Sequence, residues 1–417
     1  MIPANHKTSN HIKPALLDLS PEDSTEKGPE STKSSAGKGE APENTAVDDS
    51  TSNVWRVLDY LSKPHKNYME FHGVRAREFG LVEQTLDETA QVLIKPRLTY
   101  DRNTRILIID IPTILHEASF DDVSDFIGDS IKALPYDRTI ISPKIHMMQS
   151  LDTPDGVVTP DMTISVTALE GPTEVVLIPF FGECALTETD EQVFRKTEKV
   201  ILAHPDTICV MVVLAREATD YDAPGKDSTA SKVLRGGTNG NPQPLTLKEF
   251  INLRTTPRSF GEPIVIGDHT WGHLSSVEYF IWVKGNDGPI DIRSEDPAHM
   301  AYGTLGPTLD MDAVTGMLER GLTKMKDSFV TFQKQIVPDL DCTVLAEARA
   351  TSFTDWCGAS KRIMSAPDFT AYERYLAWHK SFFDTTSDSD DATSQRKRAS
   401  TSKLPSSRFK IPKATSD

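Results

Sequence analysis

The chain has 417 residues, 38% of them apolar and 25% charged, and a formal net charge of −16. That is enough for one large domain or two small ones. The acidic balance excludes bulk electrostatic attraction to nucleic acid, so any such binding needs a local basic groove. The longest apolar run, Ile208 to Ala215, is eight residues and too short to span a bilayer.

The opening segment, MIPANHKTSNHIKP, lacks an apolar h-region, which argues against secretion. Residues 1–52 contain no Phe, Trp or Tyr and are rich in Ser, Thr, Pro, Glu and Lys. Such a segment buries too little surface to offset its ordering, so a disordered N-terminal tail is expected. An α/β core is expected over 53–284. It begins with a short helix at Val54 to Leu61, anchored by Trp55 and Tyr60, and residues 66–98 carry no clear pattern. Arg105 to Ile111 (RILIIDI) reads as a strand stopped by Pro112. A helix follows, with Ser119 to Asp122 resembling a capping box. Phe120, Val123, Phe126, Ile127, Ile131 and Leu134 form its apolar stripe, and Asp121, Asp122, Asp125 and Asp129 a solvated face. A strand is expected between Thr139 and Met148.

Residues 160–185 read as two strands joined by a turn at Glu170-Gly171-Pro172-Thr173. Met162, Ile164 and Val166 alternate with Thr163, Ser165 and Thr167 in the first strand. The second, from about Glu174 to Glu183, is apolar on both faces, as in the middle of a covered sheet. A hairpin folded at Pro172 sets residues whose numbers sum to 344 opposite each other, and Asp161 and Glu183 are such a pair. Their Cα atoms would stand roughly 5 Å apart. Two carboxylates at that separation repel unless a divalent cation or a basic side chain lies between them. The geometry suits Mg²⁺ and phosphodiester chemistry. The alternative is a solvated strand end with the two acids pointing apart. Pro179 implies a bulge able to slip the register by one.

A second helix follows, with Thr189-Asp-Glu-Gln192 as its capping box and Val193, Phe194, Val200 and Ile201 inside. Thr207 to Leu214 (TICVMVVL) reads as a buried strand. From Ser119 to Leu214 the order is therefore helix, three strands, helix, strand. This order, with Pro160-Asp161 and Glu183, resembles the PD-(D/E)xK nuclease superfamily and its αβββαβ core of mixed sheet, over about a quarter of the chain (117–215). The Gly182-Glu183-Cys184-Ala185 wording is similar to uncharacterised fungal proteins with such a core.

The resemblance implies a Mg²⁺-dependent nuclease acting on DNA or RNA. Asp161 and Glu183 would be catalytic metal ligands, with a main-chain carbonyl near Cys184. It also implies a lysine two residues after the acid, where this chain has Ala185. Some members of the superfamily draw that lysine from the following helix. Lys196, at the edge of the apolar stripe, is the candidate for catalysis, and Lys199 points further out. A snorkelling lysine is the competing account. Glu117, just before the first helix, is a further candidate metal ligand. Without its lysine the fold could be a catalytically inactive module that binds nucleic acid or protein.

Residues 216–244 read as a polar loop, and Arg235-Gly-Gly-Thr-Asn-Gly-Asn241 lacks the strand-then-helix setting of a phosphate loop. Leu245 to Leu253 is an expected helix; Pro263 to Gly267 and Val277 to Lys284 are expected strands. His269 and His273 are spaced for a metal only on a helix, and ordinary packing is expected. A helical C-terminal region, 285–384, includes a long helix from Met311 to Gln335, whose Met and Phe residues suit a core or a groove for protein partners. A disordered basic tail, 385–417, carries Arg396-Lys397-Arg398, which fits an import signal, a phosphate-binding arm or, with Ala399-Ser400, a kinase site. The four cysteines, Cys184, Cys209, Cys342 and Cys357, have no CxxC spacing. Free thiols in a reducing compartment, nucleus or cytoplasm, are expected.

Overall fold

The structure, a computed structural model, describes residues 50–62, 68–88, 96–169, 176–186, 188–235, 243–286 and 288–395. The expectations for 1–49, for the turn at 170–173, for 236–241 and for 396–417 lie outside them. The described residues belong to one compact unit, Asp48–Asp417.

A six-stranded mixed sheet organises that unit. Its spatial order is β13 (Met300–Gly306), β12 (Leu274–Val283), β9 (Cys209–Glu217), β8 (Val176–Ala185), β7 (Met162–Ala168) and β4 (Ile141–Met147). Neighbours run antiparallel except β8 and β9, which are parallel. A parallel pair needs a crossover, and α4 (Asp190–Ala203) supplies it. With α3 (Ile114–Ala133) ahead of β4, the expected order of helix, three strands, helix and strand is present. Two short strands, β5 (Leu151–Thr153) and β6 (Gly156–Val158), interrupt it between β4 and β7.

Alternation sorts the side chains onto two faces. Met162, Ile164, Val166, Phe180, Cys184, Met211 and Val213 meet α3 and α7 (Asp312–Ile336) in the larger core. Phe181, Ala185, Val210, Val212 and Leu214 meet Val193, Val200 and Ile201 of α4 on the other. The α4 cap forms as its sequence requires: the Gln192 N–H donates to the Thr189 hydroxyl, and the Thr189 N–H to the Gln192 side chain.

The α3 start differs from expectation. Pro112 ends β3 (Ile106–Asp110), and Thr113 caps the helix at once, with His116 as its reciprocal partner. Ser119 lies inside the helix, its hydroxyl donating to the Leu115 carbonyl.

The patternless stretch 66–98 holds β1 (Tyr68–His72), α2 (Ala76–Glu88) and the start of β2 (Arg97–Asp101). A second sheet forms there, in the order β1-β3-β2-β6-β5. It leans on α4, where the Gln192 amide donates to Tyr68 and Glu70 and Lys199 pairs with Asp101.

The boundary expected after residue 284 falls between β12 and β13, which are hydrogen-bonded neighbours, and α7 packs against both through Val314, Met317, Leu318 and Leu322. The C-terminal helices thus share the sheet's core. The last, α10 (Ala366–Gln395), continues through 385–395, because no Gly or Pro follows Pro367 to stop it there. Among the described residues, no helix is long and apolar enough to cross a membrane.

Candidate functional site

Met162 pairs with Gly182, Thr163 with Phe181 and Ile164 with Phe180, each pair summing to 344. Extended one step past β7, this register sets Asp161 opposite Glu183, which lies on the α4 side with Lys196. The slip expected at Pro179 occurs between Ile164 and Val166, on the turn side of this register, and leaves the acidic pair in place. The carbonyls freed at the bulge are used: Pro179 accepts from the Ile208 N–H and Ile178 from the Thr207 hydroxyl. Asp161 is fixed from both directions. Its main-chain carbonyl accepts from the Met148 N–H, and its Oδ2 accepts from the Cys184 N–H at 2.6 Å.

Both acids are buried, and each has a cation against it. Lys196 reaches back from α4 to place Nζ 2.8 Å from Glu183 Oε2. Its amine is buried with the acid, so it does not snorkel. Arg97 comes from β2: Nη2 pairs with Asp161 Oδ1, and Nη1 donates to Asp110 Oδ2 at 3.2 Å. Arg97 and Asp110 are cross-strand partners in β2 and β3. His116 Nε2 lies 4.0 Å from the same Asp110 oxygen. Because His116 Nδ1 accepts the Thr113 N–H, a neutral ring carries its proton on Nε2, facing Asp110. Glu188, also buried, completes the charged group.

Glu117 is exposed on α3 and stands apart from the group; its helix neighbour His116 is the one that faces it. Lys199 pairs with Asp101. His269 and His273 flank Trp271 and Gly272 along β11 (His269–Gly272), where Trp271 is buried in an aromatic cluster with Phe250, Tyr375 and Trp378, as packing predicts.

Burial pushes the Glu183 carboxyl up to about 8; Lys196 opposes the shift and Asp161 adds to it. Burial by itself would lower the Lys196 amine, but Glu183, Glu188 and Asp161 outweigh it and hold the ammonium above its ordinary range. Asp110 and Glu188 are raised by burial, against the pull of Arg97 on the first and Lys196 on the second. His116 is drawn down to about 3 by burial and by Arg97, so it is neutral.

Fully ionised, Asp110, Asp161, Glu183 and Glu188 outnumber the cations Arg97 and Lys196 by two charges. Glu183 Oε1 and Asp110 Oδ1 are buried and accept no hydrogen bond among the described residues. The unmet carboxylate oxygens suit a hard divalent cation such as Mg²⁺, whose binding would draw the proton off the raised Glu183 carboxyl. Among the described residues, no group of three or more His, Cys, Asp and Glu side chains is placed to hold a metal ion.

Sequence reasoning missed Arg97, Asp110, His116 and Glu188. The first two were within reach of the arithmetic that placed Asp161. In the β2–β3 hairpin the partners sum to 207, which sets Arg97 opposite Asp110. No protein-family model matches this chain, and no curated protein or solved structure matches it either.

Proposed function

We propose that the 117–215 segment is a nuclease-like core of the PD-(D/E)xK kind and that the protein hydrolyses phosphodiester bonds of DNA or RNA with Mg²⁺. The observation that carries this is the Lys196 amine on Glu183, delivered from α4 to the face that Asp161 shares. It is the lysine that Ala185 fails to supply.

Asp161 and Glu183 would hold the ion, with a main-chain carbonyl near Cys184. An ion held by these residues would supply polarisation of a phosphate oxygen and a lowered pKa for a bound water. The chain's own groups do the rest. The Cys184 N–H orients the Asp161 carboxylate. Lys196, kept charged by the acids around it, offers donors to charge developing on the phosphate. Neutral His116 presents its Nε2 proton toward Asp110, 4.0 Å away.

The test is Mg²⁺-dependent cleavage of plasmid and of single-stranded DNA and RNA by wild type, Asp161→Ala and Lys196→Ala. Loss of cleavage in both variants is expected, on the order of a hundredfold or more. Equal activity in wild type and Asp161→Ala, or none in either, overturns catalysis at this site.

A second reading is a catalytically inactive core that binds nucleic acid or protein through the C-terminal helices or the basic tail. The Arg97–Asp161 pair favours it, because a guanidinium already neutralises the first acid. Under this reading wild type gains no thermal stability from Mg²⁺. Under the first it does, and Glu183→Ala abolishes the gain.

A further inference from the structure

The geometry points to Arg97 as an internal competitor for the divalent cation at Asp161, an inference that rests on the metal-site reading above. Each Asp161 oxygen already has a donor: Oδ1 has Arg97 Nη2, and Oδ2 has the Cys184 N–H. The second donor is main chain at the end of a paired strand and cannot withdraw without unzipping β7 from β8. The first is the tip of a long side chain from a different sheet. A cation bound to Asp161 therefore meets a guanidinium on the same carboxylate, and like charges at that separation repel strongly in a buried site.

The rest of the contact suits a displaceable group. Arg97 Nε is buried without an acceptor among the described residues, so the guanidinium is only partly satisfied where it sits. Its remaining hold is one bond to Asp110, its cross-strand partner on β3. The sheet that carries Arg97 is itself held firmly: β2 pairs with β6, the Thr159 hydroxyl donates to the Leu98 carbonyl, and Leu151 and Val158 of β5 and β6 pack with Phe181 and α4, so the part free to move is the Arg97 side chain. With Arg97 in place, Asp161, Glu183, Lys196 and Asp110 are all sealed from solvent, and a nucleic-acid phosphate cannot reach them. Withdrawal of the Arg97 side chain would remove the competing charge and free Asp161 Oδ1 for the ion. The Arg97 guanidinium thus serves as a plug held by the same carboxylate the ion needs.

The probe is Mn²⁺, titrated by calorimetry into the full chain and into Arg97→Met, with folding of each checked by circular dichroism. Arg97→Met should bind Mn²⁺ more tightly, on the order of tenfold, since coupling of this kind commonly lies in that range. It should also gain more melting temperature from Mn²⁺ than wild type does. Equal or weaker binding by a folded Arg97→Met overturns the competition and leaves the metal site standing. Failure of both chains to bind Mn²⁺ overturns the site and the competition together. If Arg97→Met does not fold, hydrogen exchange in wild type decides. Saturating Mn²⁺ accelerates exchange in β2 if Arg97 is expelled, and unchanged or slower exchange there overturns the inference.

Discussion

On the face covered by α3 and α7, β7 and β8 present Met162, Ile164, Val166, Phe180 and Cys184, and the surroundings are almost wholly apolar. On the opposite face the same strands present Asp161, Thr163, Phe181 and Glu183, with Lys196 and Arg97 folded over them. One backbone thus builds a core and a charged site a pleat apart. The apolar face stabilises the fold by burial, at about 1.5–3 kcal/mol for each large side chain. The charged face can cost stability, because desolvating the ions offsets much of their attraction. A protein that needed only a stable sheet would gain by filling both faces alike. Retaining a buried charged cluster on one of them argues for use rather than for support.

That contrast is broken most forcefully at Lys196. Replacing it with Ala leaves Glu183 buried with no counter-ion, and chemical denaturation should show a loss of about 3–5 kcal/mol. The combined change Glu183→Leu with Lys196→Met removes both charges while keeping similar volumes. It should recover most of that loss, or exceed wild type, since apolar replacements of buried ion pairs are often neutral or stabilising. The same double variant should cleave nothing. Recovered stability with lost activity would separate function from support. A double variant as unstable as Lys196→Ala would mean that the pair is needed to hold the fold.

A change on the apolar face should have the opposite signature. A Cβ at Gly182 would fall 2.6 Å from Phe120 Cζ, so Gly182→Ala forces the α3 ring aside. Overpacking of this kind costs about 1–3 kcal/mol. Mn²⁺ affinity should hold while stability drops, because Gly182 points away from Asp161 and Glu183. Adding Phe120→Leu should return part of the stability by making room. Lost Mn²⁺ binding in a folded Gly182→Ala would mean that the two faces are not independent.

The two faces were also unequally legible. Apolar alternation announces a strand pair by itself, and a hairpin fixes register through simple sums, so Asp161 and Glu183 could be set opposite each other from sequence. Lys196 followed from its place at the edge of a helical stripe. Arg97 and Asp110 were hidden for a different reason. Their hairpin lies in another sheet, and nothing local says that β2 and β3 will close over β7 and β8; that is decided by tertiary packing on α4. His116 was missed because the helix start was placed at Ser119, five residues too late, where an Asp stood in for the usual capping partner. The Thr113–His116 pair is an unusual cap, with an imidazole nitrogen in the accepting role that Glu or Gln normally fills. Glu117 is a candidate only through the resemblance, as an acid just before the first helix; inside α3 it falls on the exposed side, next to the buried His116.

The smallest expected effect tests that correction directly. Glu117 is exposed, one position round the helix from His116, and at roughly 100° per residue its side chain cannot share the inward direction. Glu117→Ala should change stability by no more than about 0.5 kcal/mol, the range for surface substitutions away from special contacts. It should leave Mn²⁺ affinity and cleavage unaltered. His116→Ala, by contrast, should lower stability by about 1–3 kcal/mol, since it strips a buried partner from the Thr113 N–H. If instead Glu117→Ala weakened Mn²⁺ binding while His116→Ala did not, the metal would have to sit on the solvent side of α3, and the carboxylates of β7 and β8 would lose their claim to it.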